Sequence, residues 1–378
     1  MDRNEAIQVC RLLNALIELS QVEKILSSFI SAFYKQSIQK EDGNYYLHSS
    51  FKLGGTVSGR MSSPLLMTIP SNSVYGKIIK KCFPSPKGMI YCGADFNSLE
   101  SVINALITKD PNKLRPLIEG IDNHAFNAYS YYPHKFPGIV NTAESLNTIP
   151  DLFPKERQAS KGCSFALQYF GTWSTLVNNC GIPIFDAKSI EANYHNLYKV
   201  SDEWSQARFV QASKDGYVTG AFGLRLRTPI LHQCMLGERN TPREAAAESR
   251  TAGNMFGGQS HGILTLRAMI EFMQRVYNSE YKYEIQICAS IHDAIYILCT
   301  DSIGCLSFVN KNLIECMQWC ELSELQHDIV KLNAELEVFY PNWSSTIGLK
   351  NNLTKKEILE TVSTELKKRK ENESNKHS

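Results

Sequence analysis

The sequence predicts an α+β fold, on three observations. Long stretches carry apolar residues at helical spacing, two apolar runs end on or surround an aspartate, and segments rich in Gly, Ser and Pro separate them as turns and loops. The apolar runs are GMIYCGAD (88–95) and EIQICASIHDAIYILCT (284–300), the second reading as two strands folded at His292-Asp293. With 378 residues, 43% hydrophobic and 21% charged, the chain can bury a core in two or three lobes.

Residues 3–37 are predicted to be helical, because Ile7, Leu12, Leu13, Leu16, Ile17, Ile25, Leu26, Phe29 and Ile30 recur at helical spacing. Glu41 to Gly43 make a turn and Tyr45 to His48 a short strand. Residues 54–76 read as loop, 88–95 as a buried strand, and 98–108 as helix. A mixed, mostly helical region runs from 121 to 215; its clearest helix is 154–169, with Pro154 in the first turn, where proline is tolerated. GYVTGAFGLRLRTP (216–229) reads as a hairpin with glycine turns. A helix is expected from 242 to 276, broken near Gly257-Gly258, and another from 304 to 320. The end after 353 is charged and is expected as a frayed helix passing into disorder, with KKRK (367–370) as a solubilising end.

Lys and Arg number 40 against 38 Asp and Glu, a net charge of +2. Any nucleic-acid site must therefore gather its basic residues in a groove. Lys77, Lys80, Lys81 and Lys87 could follow a DNA backbone or equally form a solvated face. Eleven cysteines, an odd number without metal-type CxxC pairs, read as reduced thiols. No apolar run approaches the roughly 20 residues of a membrane span, and the polar start MDRNEAIQVC is not a signal peptide. A cytoplasmic location and no membrane partner are expected.

Asp95 ends one apolar run and Asp293 sits at the crest of the other. Buried acids are costly unless paired or metal-bound, and two on one sheet could hold two Mg²⁺ ions for phosphoryl transfer. Taken alone, each could equally cap a turn. On the helix at 154–169, Arg157, Lys161, Phe165 and Tyr169 are spaced by four and share one stripe. Two cations suit a triphosphate and two aromatics a base and sugar, although an amphipathic helix with solvated cations has the same spacing.

In order along the chain, these segments resemble the DNA polymerase I family, the family A polymerases, from about residue 22 to 343. SGRMSSPLLMTIP (58–70) resembles its TGRLSS-PNLQNIP segment, ADFNSLESV (94–102) its motif A, and DNHAFNA (122–128) its D-x-H segment. RQASKGCSFALQY (157–169) is similar to motif B, GYVTGAFGLRLRTP to its glycine-rich hairpin, and REAAAESRTAGN (243–254) to the segment leading to its template-contacting helix. IHDAIYI (291–297) resembles motif C and ELEVFYPNW (335–343) the closing strand.

The resemblance implies a right-hand fold with an antiparallel palm sheet and helical fingers, the thumb mostly missing. Its implied divisions are residual thumb at 1–58, palm at 59–115 and 236–343, fingers at 116–235 and a charged tail at 344–378. It implies DNA synthesis on primer-template DNA from deoxynucleoside triphosphates. The cofactor would be two Mg²⁺ ions, with Mn²⁺ as a substitute, on Asp95, Asp293 and the Phe96 carbonyl. By the same resemblance Arg157, Lys161 and His124 hold the triphosphate, and Lys161 also donates a proton to the leaving group. Phe165 packs on the deoxyribose, Tyr169 sits by the templating position, and Glu100 crowds the sugar 2′-position. Arg60, Arg250, Asn254, Gln259 and His292 would touch DNA.

The chain also departs from the pattern. Ala294 stands where motif C has Glu, Val102 where motif A has Arg, and Phe170 where a Gly follows the tyrosine. Asn254 and Gln259 are one residue further apart than the family's N-x3-Q. Only about 58 residues precede the Arg60 segment, and they hold no exonuclease-type acid cluster. A divergent, phage-type split enzyme is therefore expected, with a second polypeptide carrying the exonuclease domain and thumb and with the helix at 3–37 as docking element. Two rivals remain: a single-subunit RNA polymerase, opposed by Glu100 and Phe165, and a catalytically weak DNA-binding accessory, supported by Ala294.

Overall fold

Asp2 and Glu5 form a reciprocal capping box that starts α1 (Arg3–Lys24). The helix continues through a π turn (Ile25–Ile30) into α2 (Ser31–Gln36), which turns Phe29 into the core while α1 itself buries nothing. β1 (Ser37–Gln39) then pairs antiparallel with β2 (Tyr45–Leu47), so the helix stops slightly earlier than its apolar spacing suggests. The computed structural model describes residues 2–70, 73–233 and 243–374, with side chains as far as 372. The expected division between fingers and palm at 235/236 lies outside the described residues.

Helix α3 (Val74–Lys81) emerges from the end of the predicted loop. β3 (Met89–Phe96) follows, then α4 (Leu99–Thr108) and α5 (Pro111–Glu119). A helical lobe follows, of α6 (Asn123–Tyr131), α7 (Ala143–Leu146), α8 (Ile149–Leu152), α9 (Pro154–Gln168), α10 (Trp173–Cys180), α11 (Ile184–Leu197) and α12 (Lys199–Asp215). Leu146, Ile149, Leu167, Leu176 and Ile190 make their core. The hairpin is β4 (Tyr217–Thr219) and β5 (Arg225–Arg227), followed by α13 (Pro229–Gln233). α14 (Arg243–Phe256) and α15 (Ile263–Tyr277) flank the predicted break, where Gly258 takes φ 137°.

The sheet that positions the site is completed by β6 (Ile285–Ile291), β7 (Ala294–Thr300), β8 (Ala334–Phe339) and β9 (Thr346–Leu349), with α16 (Ile303–Met317) between β7 and β8. Its order is β6-β7-β3-β8-β9, antiparallel throughout. Alternation assigns the faces. Cys92, Ala94, Ile295, Ile297, Leu336 and Val338 join the core that contains Leu264, Phe272, Val309 and Leu313 of α15 and α16. On the opposite face Tyr91, Tyr296 and Phe339 pack under Phe29, Leu66 and Trp343 at one end. The other end, around Asp95, is left open as a cleft.

The chain end corrects the expectation of a charged, frayed tail. Residues 346–349 are the edge strand β9, and Lys355–Ser374 form α17. Ile358 of α17 is fully buried, and Val362 and Leu366 pack against the main core. Replacing Ile358 by Ala is expected to cost about 2–5 kcal/mol of unfolding free energy, measured by urea denaturation. No change in midpoint would mean that α17 is not part of the folded core. No described cysteine is disulfide-bonded, and no described helix is long and apolar enough to cross a membrane.

Candidate active site

β3 carries Asp95 to its end, and the β6–β7 hairpin carries Asp293 to its two-residue turn beside His292, whose φ of 54° lies in the left-handed region. Directly paired residues of antiparallel strands share a face. Asp95 therefore stands in one row with Ala294 on β7 and Glu335 on β8, and Gly93 in the next row with Tyr296 and Glu337. Asp95, Phe96, Glu100, His124, Lys161, Phe165, His292 and Asp293 all line the cleft above this face.

Burial first, and the neighbouring charge of Asp293 second, push the Asp95 carboxyl up to about 6. Arg60 supplies a cation: its guanidinium donates to Asp293 at 2.7 Å and to Glu100 at 3.2 Å. A Cβ at Gly262 would stand 2.8 Å from Nε of Arg60, so a glycine makes room for that side chain. The Tyr169 hydroxyl donates to the second oxygen of Glu100. The cleft thus holds paired carboxylates on its floor, with Lys161 of α9 and His124 of α6 at its side.

The donor set fits a divalent cation. Two acids that repel one another at a cleft floor favour one, and an arginine already balances Asp293. Among the described residues no group of three or more His, Cys, Asp or Glu is arranged to hold a metal ion. The remaining ligands would be the Phe96 carbonyl, water and substrate oxygens, a pattern Mg²⁺ favours. In the metal-free protein a carboxyl raised to about 6 keeps its proton up to that pH, and a bound cation must displace it. Mn²⁺ affinity is therefore expected to hold above about pH 6 and to fall about ten-fold per unit below it. A titration flat down to about pH 5 would remove Asp95 from the metal set.

Some predicted residues sit elsewhere. Arg157 does not line the cleft; its guanidinium grips both oxygens of Asp122, at 2.9 and 2.6 Å. That pairing also brings Asp122 beside His124, whose imidazole burial, with Lys161 and Arg157, holds below its ordinary pKa. Arg250 is exposed on α14 outside the cleft, and Asn254 keeps a buried Oδ1 without a hydrogen-bond partner. Asn254 ends up on α14 and Gln259 on the short helix after it (Gln259–Gly262), so the break at Gly258 carries the extra residue between them. Phe170, where the resembling motif has Gly, takes φ 61°. That costs roughly 1–2 kcal/mol for a side chain with a Cβ. Contacts to Phe209 at 5.0 Å and Phe256 at 6.3 Å offset it.

Three residues that the sequence singles out only as a candidate backbone contact or as part of the closing strand also line the cleft: Lys80 reaches over the Trp343 ring at 5.1 Å, and Glu337 and Trp343 lie on the floor. The alternation AELEVF (334–339) marks a half-open strand, but nothing in it says that Glu337 shares the face of Asp95.

The sequence model of DNA polymerase family A matches residues 4–345. DNA polymerase I of Treponema pallidum (strain Nichols) is 29% identical over 282 residues, 72% of this chain and 26% of its own length. The thermostable DNA polymerase I of Thermus aquaticus is 24% identical over 284 residues, 75% of this chain and 31% of its own length. The chain thus spans about a quarter to a third of these curated relatives. Among solved structures, the POL domain of Pol1 from M. smegmatis, in complex with DNA primer-template and dNTP, aligns with a TM-score of 0.67 at 21% identity. That alignment covers 86% of this chain and 51% of the other.

Proposed function

Because the chain belongs to DNA polymerase family A, we propose that it adds deoxynucleoside monophosphates to a primer 3′-hydroxyl on a DNA template, releasing pyrophosphate. The observation that carries this reading is the cleft itself: Asp95 and Asp293 lie on its floor, facing Lys161, His124 and Phe165 of the fingers.

Two Mg²⁺ ions bound at Asp95, Asp293 and the Phe96 carbonyl would lower the pKa of the primer hydroxyl and neutralise the leaving charge. The chain's own residues position the reactants, which is most of what phosphoryl transfer asks of a protein. Lys161 and His124 reach the triphosphate, and Lys161 can return a proton to the leaving pyrophosphate. Phe165 offers a ring to the sugar, and Glu100 guards its 2′-side. Arg60, once released from Asp293, can reach the primer end, with Gln259 beside Tyr169. Arg157 steadies the base of α9 through Asp122, and joining a triphosphate would require it to leave that ion pair.

Primer extension with Mg²⁺ or Mn²⁺, with deoxy- or ribonucleotides, tests the proposal. Template-dependent DNA products are expected, and their absence with both ions would overturn it. One observation favours the reading as a weak accessory: Ala294 places a methyl group, not an acid, directly across from Asp95. DNA binding without extension would select it.

The proposal includes a second polypeptide carrying exonuclease and thumb. The support is α1, whose Ile7, Leu12, Leu13, Leu16 and Ile17 are 42–60% exposed on a helix that buries nothing. Co-purification from the native source is the check, and a processive monomer would count against it.

A further inference from the structure

The family match stops at residue 345, and α17 lies beyond it. From the last turns of that helix Arg369 reaches back to the palm. Its guanidinium donates to the Tyr340 carbonyl at 2.7 Å, to Ser345 Oγ at 2.6 Å and to the Thr346 carbonyl at 2.6 Å. Glu365, one turn earlier, holds Arg369 Nε at 3.3 Å and so presents the fork.

Tyr340 and Ser345 belong to the turn between β8 and β9, and Thr346 opens β9. Trp343 of that turn is 5% exposed and stands edge-on to Tyr296 at 5.1 Å and to Phe83 at 5.6 Å. Trp343 and Thr346 line the same cleft as Asp95 and Asp293. Thr346 lines the cleft together with Glu337, which pairs with Gly93, two residues from Asp95 and on its face. A side chain of the last helix thus holds a segment whose Trp343 and Thr346 line the cleft.

We propose that Arg369 is a positioning residue for the reaction: it locks the 340–346 turn and thereby sets Trp343 and Thr346 under the site where a primer end must lie. The guanidinium spreads fixed donors over Nε, Nη1 and Nη2 and so holds three acceptors and Glu365 at once, whereas a lysine has its three donors on one nitrogen and cannot reproduce that spread. Without it the turn keeps the main-chain bonds from Tyr340 N–H to Ser345 O, from Ser345 N–H to Asn342 O and from Trp343 N–H to Phe83 O, each at 3.0 Å. Small misplacements of a reacting group cost rate far more than they cost stability.

The rate consequence rests on the DNA-synthesis reading; the hold on the turn does not. The test uses the full chain, wild type against Arg369→Ala and Arg369→Lys. Arg369→Ala is expected to lower kcat roughly ten-fold. Nucleotide KM should stay within about two-fold, because His124, Lys161 and Phe165 are carried by the fingers. The urea midpoint should barely move, and Arg369→Lys should recover only part of kcat. Acrylamide quenching of Trp343, isolated by comparison with Trp343→Phe, should rise in Arg369→Ala. Unchanged kcat with unchanged quenching overturns the proposal, as does a kcat loss that merely tracks lost stability. If the wild-type chain makes no DNA, the functional reading fails, and the quenching result still decides whether Arg369 holds the turn.

Discussion

Asp95→Asn or Asp293→Asn is expected to reduce nucleotide incorporation by roughly a thousand-fold or more, with DNA binding retained. Asn matches Asp in size, so neither change opens a cavity. What is lost, on the two-metal reading, is a negative charge that would draw a divalent cation to the end of β3 and the tip of the β6–β7 turn. The two substitutions differ in their side effects. In Asp293→Asn the Asp95 carboxyl loses the neighbouring charge that helps to raise it, so its pKa should drop back toward the ordinary range. Arg60 also loses a partner at 2.7 Å and retains Glu100 at 3.2 Å. In Asp95→Asn the Arg60 bridge stays whole. Primer extension with anisotropy of labelled primer-template measures both quantities. Appreciable incorporation by either variant would sink the two-metal assignment, and joint loss of binding and synthesis would point to misfolding instead.

Glu100→Ala should relax sugar selection, lowering the kcat/KM ratio of deoxy- over ribonucleotides by about a hundred-fold. Glu100 is not a freely rotating side chain. The Tyr169 hydroxyl holds one oxygen and Arg60 the other, so the carboxylate stands as a fixed wall at the start of α4, in the same cleft as Phe165. A ribose hydroxyl would have to displace one of these bonds or meet a desolvated carboxylate, and either is costly. Truncation to Ala removes the wall and the acceptor that holds the Tyr169 hydroxyl. Paired single-nucleotide incorporation assays give the ratio directly. An unchanged ratio would mean that the sugar does not pass Glu100, and the placement of the nucleotide would have to be revised.

Much of this site is legible in the chain because its signals are local. The four-residue spacing from Arg157 to Tyr169 is a helical stripe, and α9 forms over Pro154–Gln168. The apolar runs around Asp95 and His292-Asp293 are strands for the same reason, and Gly257-Gly258 marks the break after α14. The end of the chain reads poorly because Ile358, Val362 and Leu366 are thinly spaced among Lys and Glu. Their burial depends on a groove supplied by distant residues of α16 and β9.

What the sequence by itself determined is the set of elements and the order of the acids, cations and aromatics along them. Those follow from the 3.6- and 2-residue periods and from turn residues, which act over a few positions. Only the tertiary structure decided which side chains meet. That Arg60 bridges Glu100 to Asp293, that Asp122 takes up Arg157, and that Glu337 shares the face of Asp95 all depend on strand register and on contacts between residues far apart in the chain. The two aspartates were visible from the start. Their cleft, and the arginine from the last helix that steadies its floor, exist only once the sheet has closed in the order β6-β7-β3-β8-β9, because cross-strand pairing is set by packing that no local pattern encodes.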